Sequence, residues 1–199
     1  ESFDLSDFNL VISSSVAFAK GLILKPQTKH VCYCYSPTRQ LWDWHTEYKQ
    51  ESRLAPRWAT SLSQHLLRIW ERHASTRVDH FIAGSENAKK RIKKVYGMDA
   101  KVVYPFVDLE RFSRFESFDG GYFLVVGRPN NYKKFDLAER ACKKLNVPLK
   151  VIDGKLDDEM VVQIIAGCKA LIIPGIEDFG LTSLEAQALG KPVIAFRAG

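Results

Sequence analysis

Short apolar runs alternate with amphipathic segments along the chain, which is the pattern of an α/β protein. Runs that end at Gly, Pro or polar turn residues predict buried strands over residues 8–13, 30–34, 122–126, 147–154, 170–173 and 193–196. Apolar residues at helical spacing predict helices over residues 14–23, 58–75, 88–95, 133–145, 157–168 and 182–189. Strands that alternate with helices form sheets with helices packed on their faces. The predicted fold class is therefore α/β, with doubly wound layers.

The segment 173–190, IPGIEDFGLTSLEAQALG, is the most informative strand, loop and helix in the chain. Its strand ends at Pro174 and Gly175, its loop carries Glu177, and its helix ends at Gly190. In open α/β sheets, ligands bind where loops leave the carboxyl ends of strands. This loop is therefore the predicted binding region.

Two carboxylates flank this loop, because Glu177 and Glu185 are eight residues apart. If the helix starts near Thr182, Glu185 lies in its first turn and faces the same mouth as Glu177. A helix N-terminus also attracts phosphate through its exposed amides, here those of Phe179, Gly180 and Leu181. Such a site suits a nucleotide sugar, whose hydroxyls need acceptors and whose diphosphate needs donors. The alternative is a capping box, in which Glu185 only satisfies backbone donors.

Several motifs resemble one known family. EDFGLTSLEAQALGKPVIAF resembles the E-x7-E signature of the retaining glycosyltransferases of family four, which have the GT-B fold. VVGRPNNYKKFDLAERAC resembles the family's second signature, and KVVYPFVDLERF resembles its interdomain segment. HFIAGSENAKKRIKKVYG is similar to the preceding strand and helix. CYCYSPTRQLWDW resembles a mannosyltransferase-like branch found in polysaccharide and lipopolysaccharide gene sets.

This resemblance implies a function and a set of site residues. The implied reaction transfers a sugar, mannose in this branch, from a nucleoside diphosphate donor such as GDP-mannose to a saccharide or lipid-linked acceptor, with retention at the anomeric carbon. The catalytic residues implied are Glu177, which binds the transferred sugar, and Arg128 with Lys133, which hold the diphosphate. The implied donor-binding residues are Phe179, Gly180, Leu181, Thr182, Glu185, which binds the ribose, and Gly127. No cofactor or metal is implied, because the cations stabilise the leaving phosphate.

The residue types that follow the predicted strand over residues 122–126 suit this chemistry. Gly127 allows a tight turn, Arg128 offers a planar bidentate fork, and Lys133 is a mobile point charge. Two cations five residues apart can clamp a diphosphate from its open side. The alternative is an ordinary surface pair, because other cations crowd nearby.

The acceptor side is assigned by resemblance to the loop that holds Tyr35 and Arg39. In the related branch the position of Tyr35 is usually a histidine that reaches the transferred sugar. A tyrosine hydroxyl donates a hydrogen bond but does not carry a proton near neutral pH as histidine does. The alternative for Tyr35 and Arg39 is a turn packed by aromatic residues.

The GT-B resemblance also implies the domain organisation. Residues 1–104 are predicted as a partial N-terminal, acceptor-side Rossmann-like domain, and residues 105–119 as the interdomain linker. Residues 120–199 are predicted as a partial C-terminal domain that binds the nucleotide sugar. A substrate cleft is expected between the halves. Both halves are expected to be incomplete, with the chain cut at both ends.

Composition narrows the classes of function. The content of 46% hydrophobic residues is ordinary for a globular protein. No run reaches the roughly 18 apolar residues of a membrane span, and the N-terminus lacks the regions of a signal peptide. The predicted compartment is therefore the cytoplasm, with peripheral contact at the inner face of a membrane left open. Four cysteines without zinc spacing predict a reduced core and no metal site: Cys32, Cys34, Cys142 and Cys168.

The net charge of +6 and the pI of about 9.1 raise the question of a nucleic-acid partner. The basic residues are spread along the chain, and no nucleic-acid-binding motif accompanies them. The densest cluster is interpreted as the solvated face of a helix whose Ala88 and Ile92 point inward: Lys89, Lys90, Arg91, Lys93 and Lys94. No nucleic-acid partner is predicted.

Residues 49–75 form the most basic and aromatic stretch. From Trp58 onward, Leu62, Leu66, Ile69 and Trp70 lie near one helical face. The favoured interpretation is a core helix with a solvated charged face. The alternative is a helix that rests on an anionic membrane, because Trp and Arg suit that interface.

Two other classes of function remain. A nicotinamide oxidoreductase should show G-x-G-x-x-G after its first strand, and the sequence has no such motif. A non-catalytic nucleotide-binding or lipid-binding fragment stays open, since Tyr35 replaces the expected histidine.

Overall fold

The structure, a computed structural model, describes residues 4–44, 46, 56–128, 131–153 and 156–198. The chain divides into two compact units, Glu1–Tyr104 and Pro105–Gly199. Each unit contains a four-stranded sheet in which all neighbouring strands are parallel. Among the described residues, no helix is both long enough and apolar enough to cross a membrane.

The first unit has the sheet order β1-β2-β3-β4. Its elements in chain order are β1 (Leu10–Ser15), a 3-10 turn (Phe18–Gly21), β2 (Lys29–Cys34), α1 (Arg39–Trp42), α2 (Arg57–Ser75), β3 (His80–Ala83), α3 (Glu86–Tyr96) and β4 (Ala100–Val102). Cys32 and Cys34 lie on the buried face of β2, as their alternation predicts, and pack with Phe81 and Ile92. All four cysteines of the chain are buried free thiols.

The predicted helix over residues 14–23 is wrong. Strand β1 continues to Ser15, which pairs with Cys34 of β2, and only the 3-10 turn follows. Lys20 in this turn is completely buried, and its Nζ donates a hydrogen bond to the carbonyl of Val16 at 2.7 Å. Pairing with β2 therefore takes the residues that the first turn of a helix would need.

The helix predicted after residue 58 is confirmed as α2, but the favoured interpretation of its faces is wrong. The buried side chains of α2 are mostly polar: Thr60, Gln64, Glu71, Ala74 and Ser75. Trp58, Leu62, Leu66 and Ile69 lie instead on the exposed face. Residues 49–55 of the same stretch lie outside the described residues.

The polar face of α2 is buried because Glu71 is the centre of a hydrogen-bond network. The side chain of Glu71 is 1% exposed, and its carboxylate lies 3.0 Å from the Nζ of Lys20. Four further donors come from three residues: the Thr38 amide (3.2 Å) and hydroxyl (2.7 Å), the indole N–H of Trp42 (2.6 Å) and the hydroxyl of Tyr96 (2.9 Å). A buried charge is tolerated when it is paired and hydrogen-bonded in this way.

Helix α3 has the predicted faces with one exception. Its Ser85 cap accepts a hydrogen bond from the Ala88 amide, and Ala88 and Ile92 are buried as predicted. Arg91, predicted on the solvated face, is instead largely covered. It pairs with Asp43 and donates to the Ser36 hydroxyl at 2.9 Å. The sequence spacing does not show this, since both partners lie on the segment that follows β2.

The second unit has the sheet order β6-β5-β7-β8. Its elements in chain order are α4 (Leu109–Phe112), β5 (Tyr122–Val126), a 3-10 turn (Asn131–Lys133), α5 (Phe135–Leu145), β6 (Leu149–Ile152), α6 (Asp158–Ala166), β7 (Cys168–Ile173), α7 (Leu181–Ala188) and β8 (Val193–Ala195). The chain passes from β5 to β6 on one side and then returns to β7 on the other side of β5. The direction of winding therefore reverses between β5 and β7.

The segment 105–119 packs on the second unit. Phe112 of α4 is 4% exposed and belongs to the same core as Leu124 and Ile165. The Phe118 amide donates to the carbonyl of Ala166 at 3.0 Å.

Candidate functional site

A cavity of about 110 Å³ lies at the reversal between β5 and β7. In doubly wound sheets, the loops on either side of such a reversal leave in opposite directions and open a crevice at the carboxyl ends of the strands. The loop after β5 contributes Lys133 to this cavity, and the loop after β7 contributes Glu177. The strands described in the first unit run in sequential order and have no such reversal. The topology therefore places the candidate site in the second unit.

Lys133 and Glu177 meet directly in this crevice. The Nζ of Lys133 lies 2.6 Å from Oε1 of Glu177, although 44 residues separate them in sequence. The two side chains are 24% and 30% exposed, so they are shielded and still reachable by a ligand. Lys133 lies in the 3-10 turn before α5, whereas the sequence predicts that it opens the helix.

Two glycines lie next to this ion pair. A Cβ atom on Gly127 would lie 3.5 Å from the Nζ of Lys133, and one on Gly180 would lie 3.7 Å from the Cβ of Glu177. Both residues have positive φ angles, +133° and +81°, which L-amino acids with side chains rarely adopt. The predicted donor-binding residues Gly127 and Gly180 are therefore close to the predicted catalytic pair.

The N-terminus of α7 faces the same cavity, which Gly180, Leu181 and Thr182 line. The helix starts at Leu181, and its N-cap Gly180 makes no side-chain capping hydrogen bond. The capping box considered for Thr182 and Glu185 does not form, because Thr182 is already the second helical residue. The Ser183 amide donates to the Gly180 carbonyl at 2.9 Å, whereas the first amides of a helix, here those of Leu181 and Thr182, have no partner within the helix and can bind a ligand.

Glu185 lies beyond the first turn of α7, whereas the sequence analysis predicts it within that turn. It is the fifth helical residue, and it does not line the cavity. Residues four apart share one helix face, so Glu185 lies about 6 Å along the helix from Leu181. A ligand that extends from the cavity along this face would reach it.

Burial raises the pKa of Glu185, against a smaller lowering by Arg111 and with a further increase from Asp158. Arg111 and Asp158 pair with each other at 3.4 Å. These two neighbours belong to α4 and α6, whereas Glu177 lies beside Lys133. The structure therefore brings Glu177 and Lys133 together and places Glu185 in a different electrostatic environment.

Of the other predicted residues, Arg128 does not line this cavity, and Tyr35 and Arg39 belong to the first unit. Arg128 is exposed directly after β5, and residues 129 and 130 lie outside the described residues. In the first unit, the hydroxyl of Tyr35 accepts a hydrogen bond from Ser14 at 2.9 Å. The guanidinium of Arg39 lies 3.5 Å from the ring centroid of Trp44 and pairs with Asp43. The aromatic packing considered as the alternative for this turn is therefore present, and the acceptor-side role stays a prediction.

A second cavity of about 450 Å³ shares Glu177 and Gly180 with the first. Phe179 lines this second cavity, together with Arg197 from the segment after β8. Arg197 was not predicted as a site residue. Its position directly after the last apolar strand, at the carboxyl end, is the feature that could have identified it.

Gly175 is a further residue that the sequence marks only as a strand end. A Cβ atom there would lie 2.7 Å from the carbonyl oxygen of Tyr132 and 2.9 Å from the Cα of Lys133. Both contacts are with backbone, so the loop itself would have to move. Gly175 therefore sets how closely the loop after β5 approaches the loop after β7.

With a nucleoside diphosphate, the ligand that the sequence resemblance implies, we expect Gly175→Ala to displace Lys133 and to weaken binding about tenfold, since small misplacements at a site have large effects. Isothermal titration calorimetry measures the affinity. The matched control is Gly167→Ala, whose Cβ would lie 2.6 Å from the ring of Phe118, away from this cavity. Equal loss of affinity in both variants would show a general loss of stability and contradict the role of Gly175.

The raised pKa of Glu185 predicts a pH-dependent effect of Glu185→Gln. When the pKa of a carboxyl is higher in the folded state than in the unfolded chain, the free energy of unfolding falls as pH rises above the ordinary pKa of 4.5. Glutamine carries no charge, so the variant should melt at a higher temperature than the wild type near pH 7. The difference should vanish below about pH 4, where the wild-type carboxyl is neutral. A calorimetric pH series, with exposed Glu139→Gln as the control, measures this, and a pH-independent difference would contradict it.

Among the residues that the structure describes, no three His, Cys, Asp or Glu side chains are grouped so as to hold a metal ion.

A family model described as Glycosyltransferase Family 4 matches residues 2–111, which is more than half of the chain. The match lies mainly on the first unit, whereas Lys133 and Glu177 lie outside it. Comparison with curated proteins gives no significant sequence match.

Solved structures show the fold. The chain is similar to an alpha-glucosyltransferase in complex with UDP and a 13-mer DNA containing a HMU base, with a TM-score of 0.57 and 15% identity over 97% of the chain. It is also similar to an alpha-glucosyltransferase (AGT) in complex with UDP, with a TM-score of 0.55 and 14% identity over 97% of the chain. The chain spans 62% and 63% of the lengths of these two proteins. The predicted α/β fold of GT-B type, with two Rossmann-like halves, is confirmed.

Proposed function

The chain belongs to Glycosyltransferase Family 4, and on that premise we propose that its second unit binds the nucleoside diphosphate sugar of a glycosyl transfer reaction. The observation that carries this proposal is the crevice between β5 and β7. There a lysine, a carboxylate and the uncapped N-terminus of α7 converge on one cavity. A phosphorylated polyol can use a cation and amide donors for its phosphates and a carboxylate acceptor for its hydroxyls.

The roles follow from the chemistry of each group. The Nζ of Lys133 and the first amides of α7 bind the diphosphate, because both line the cavity and supply positive charge. Glu177 accepts hydrogen bonds from the hydroxyls of the transferred sugar. Glu185, about one turn along α7, binds the ribose. Arg128 approaches the diphosphate from the exposed side of the strand end.

Transfer breaks the bond between the anomeric carbon and the phosphate oxygen and forms one to the acceptor hydroxyl oxygen, whose proton passes to the departing diphosphate. Negative charge develops on the departing diphosphate, and fixed cations and amides stabilise it. We assign this task to Lys133, whose pairing with Glu177 holds it in position before the donor arrives. The proposed outcome is retention at the anomeric carbon, by resemblance of the E-x7-E motif.

The finer assignments are also proposals. The resemblance of CYCYSPTRQLWDW favours GDP-mannose as donor and a saccharide or lipid-linked acceptor, whereas the two similar structures contain UDP. The first unit, with Tyr35 and Arg39, is proposed as the acceptor side. No described residue is assigned as a covalent nucleophile.

A thermal-shift panel tests the donor site directly. GDP, UDP and ADP, each with and without a sugar, are added to the chain, and one nucleotide is expected to raise the melting temperature well above the other two. Mannose transfer from the matching donor to candidate acceptors is then followed by release of the nucleoside diphosphate. No stabilisation by any of the three would overturn the proposed site.

The remaining alternative is a nucleotide-binding unit without catalysis, favoured by tyrosine at position 35. Nucleotide binding in the panel, with neither hydrolysis of the nucleotide sugar nor transfer to any candidate acceptor, would support that alternative. The two outcomes differ in turnover and not in affinity, so the panel and the transfer assay separate them.

A further inference from the structure

Helix α2 presents an apolar face to solvent. Trp58, Leu62, Leu66 and Ile69 follow one another at spacings of four, four and three residues, which places them on one side of the helix. They are exposed by 71%, 53%, 57% and 56%. On the opposite side of α2, Glu71 is buried in its hydrogen-bond network, and this network holds that side of the helix toward the core.

This face extends beyond the helix itself. The ring of Phe18, in the 3-10 turn, lies 5.6 Å from the ring of Trp70, and Phe18 is 70% exposed. We define the outer face of α2 as Trp58, Leu62, Leu66, Ile69, Trp70 and Phe18. Contiguous apolar surface of this kind marks an interaction site, whereas scattered apolar residues do not.

The charge beside the outer face indicates which partner fits. Arg57, Arg68 and Arg72 lie on α2, and its one acidic residue, Glu71, is buried against Lys20. Arg72 is exposed and lies three residues after Ile69. The exposed surface of α2 therefore combines tryptophan and leucine with positive charge and carries no negative charge. This composition is complementary to an anionic, apolar surface.

We propose that the outer face of α2 binds the surface of a lipid bilayer that contains anionic headgroups. The leucine, isoleucine and tryptophan side chains enter the boundary between headgroups and acyl chains, where aromatic rings are favoured. Arg72 contacts the phosphates of the headgroups. Because this surface lies on the first unit, the inference goes beyond the donor site proposed for the second.

Vesicle flotation tests the proposal. The 199-residue chain should float with vesicles of phosphatidylcholine and phosphatidylglycerol in equal parts, and bind much less to vesicles of phosphatidylcholine alone. Leu62→Ser with Leu66→Ser should weaken binding to the mixed vesicles by about tenfold for each leucine. Arg72→Gln should weaken it about fivefold, and high salt should do the same.

The matched control is Leu145→Ser, which removes an even more exposed leucine (71%) from α5 of the second unit and should leave binding unchanged. Circular dichroism checks that the variants fold, which is expected since the changed residues are exposed. Two results would overturn the proposal: no preference of the wild type for anionic vesicles, or a dimer in light scattering that the double serine variant dissociates. The test uses no activity measurement, so its failure would leave the proposed donor site intact.

Discussion

Replacing Lys133 with glutamine is expected to lower the rate of sugar transfer by about 10²–10³-fold, the usual effect of removing one group that stabilises developing charge. The same change should weaken binding of the nucleoside diphosphate, because Lys133 is assigned to that part of the donor. Glutamine removes the charge and is shorter than lysine. Single-turnover kinetics and calorimetry, with the donor that the thermal-shift panel identifies, measure the two effects separately.

Glu177→Gln should behave differently at the same 2.6 Å contact. Glu177 is assigned to the transferred sugar, so its loss should reduce transfer about 10²-fold. Affinity for the nucleoside diphosphate without sugar should stay the same or rise, because Lys133 is freed from its partner. Parallel loss of both affinity and transfer in the two variants would contradict these separate roles.

The control is the next lysine in the chain. Lys134 does not line the cavity and lies 5.2 Å from the ring of Phe196. Lys134→Gln makes the same chemical change one residue away and should keep transfer within about threefold, as expected for a surface position. If Lys134→Gln were as damaging as Lys133→Gln, the effect would reflect net charge in the loop.

Glu71→Gln is expected to lower the free energy of unfolding of the first unit by about 3–5 kcal/mol, since it leaves the buried ammonium of Lys20 without its counter-charge. Lys20 and Glu71 are 0% and 1% exposed, so water cannot replace the missing partner. Urea denaturation measures the change. Exposed Glu86→Gln, on α3, removes a 3.7 Å surface pair with Lys89 and should change stability by less than about 0.5 kcal/mol.

The effect of Glu71→Gln should depend on pH. Burial by itself raises the pKa of Glu71, but Lys20 and the hydrogen bonds from Thr38 and Trp42 outweigh it, so the pKa lies below the ordinary 4.5. A carboxyl of this kind stabilises the fold above its ordinary pKa, and this contribution is lost as pH falls through the lowered value. The gap between wild type and variant should therefore be full near pH 7 and close in strong acid. A gap that is constant with pH would contradict the charged state of Glu71.

The network also links stability to the acceptor-side prediction. Glu71 holds Thr38 and Trp42, which lie on the segment directly after β2 that carries Tyr35 and Arg39. A parallel Lys20→Met/Glu71→Leu variant removes both charges and should be less destabilised than the sum of the two single changes. Such coupling would show that the ion pair acts as a unit.

Several elements could be predicted from local pattern. Strand β5 begins and ends at the predicted residues, and β7, α7 and β8 lie within a few residues of the predicted bounds. Strand period, glycine and proline at strand ends, and helical spacing are all encoded by neighbouring residues. For the same reason, the strand-end loops that carry Lys133 and Glu177 could be located from sequence.

Other features depended on residues that are distant in sequence. The predicted inward face of α2 was wrong because helical spacing shows that two faces differ but not which one meets the core. That choice depends on Glu71, whose partners come from the 3-10 turn, the segment after β2 and α3. The predicted helix over 14–23 failed for a similar reason, since pairing with β2 outweighs a weak local preference.

The sequence by itself determined the α/β class, the alternation of strands and helices from β5 to β8, and which residue types stand at the strand ends, because these follow from local period and turn chemistry. Only the tertiary structure decided that Lys133 and Glu177 meet, that Glu185 lies with Arg111 and Asp158, and that the apolar side of α2 faces outward. Each of these depends on which strands become neighbours and where buried charges find partners. Contacts of that kind join residues far apart in the chain, and no local pattern specifies them.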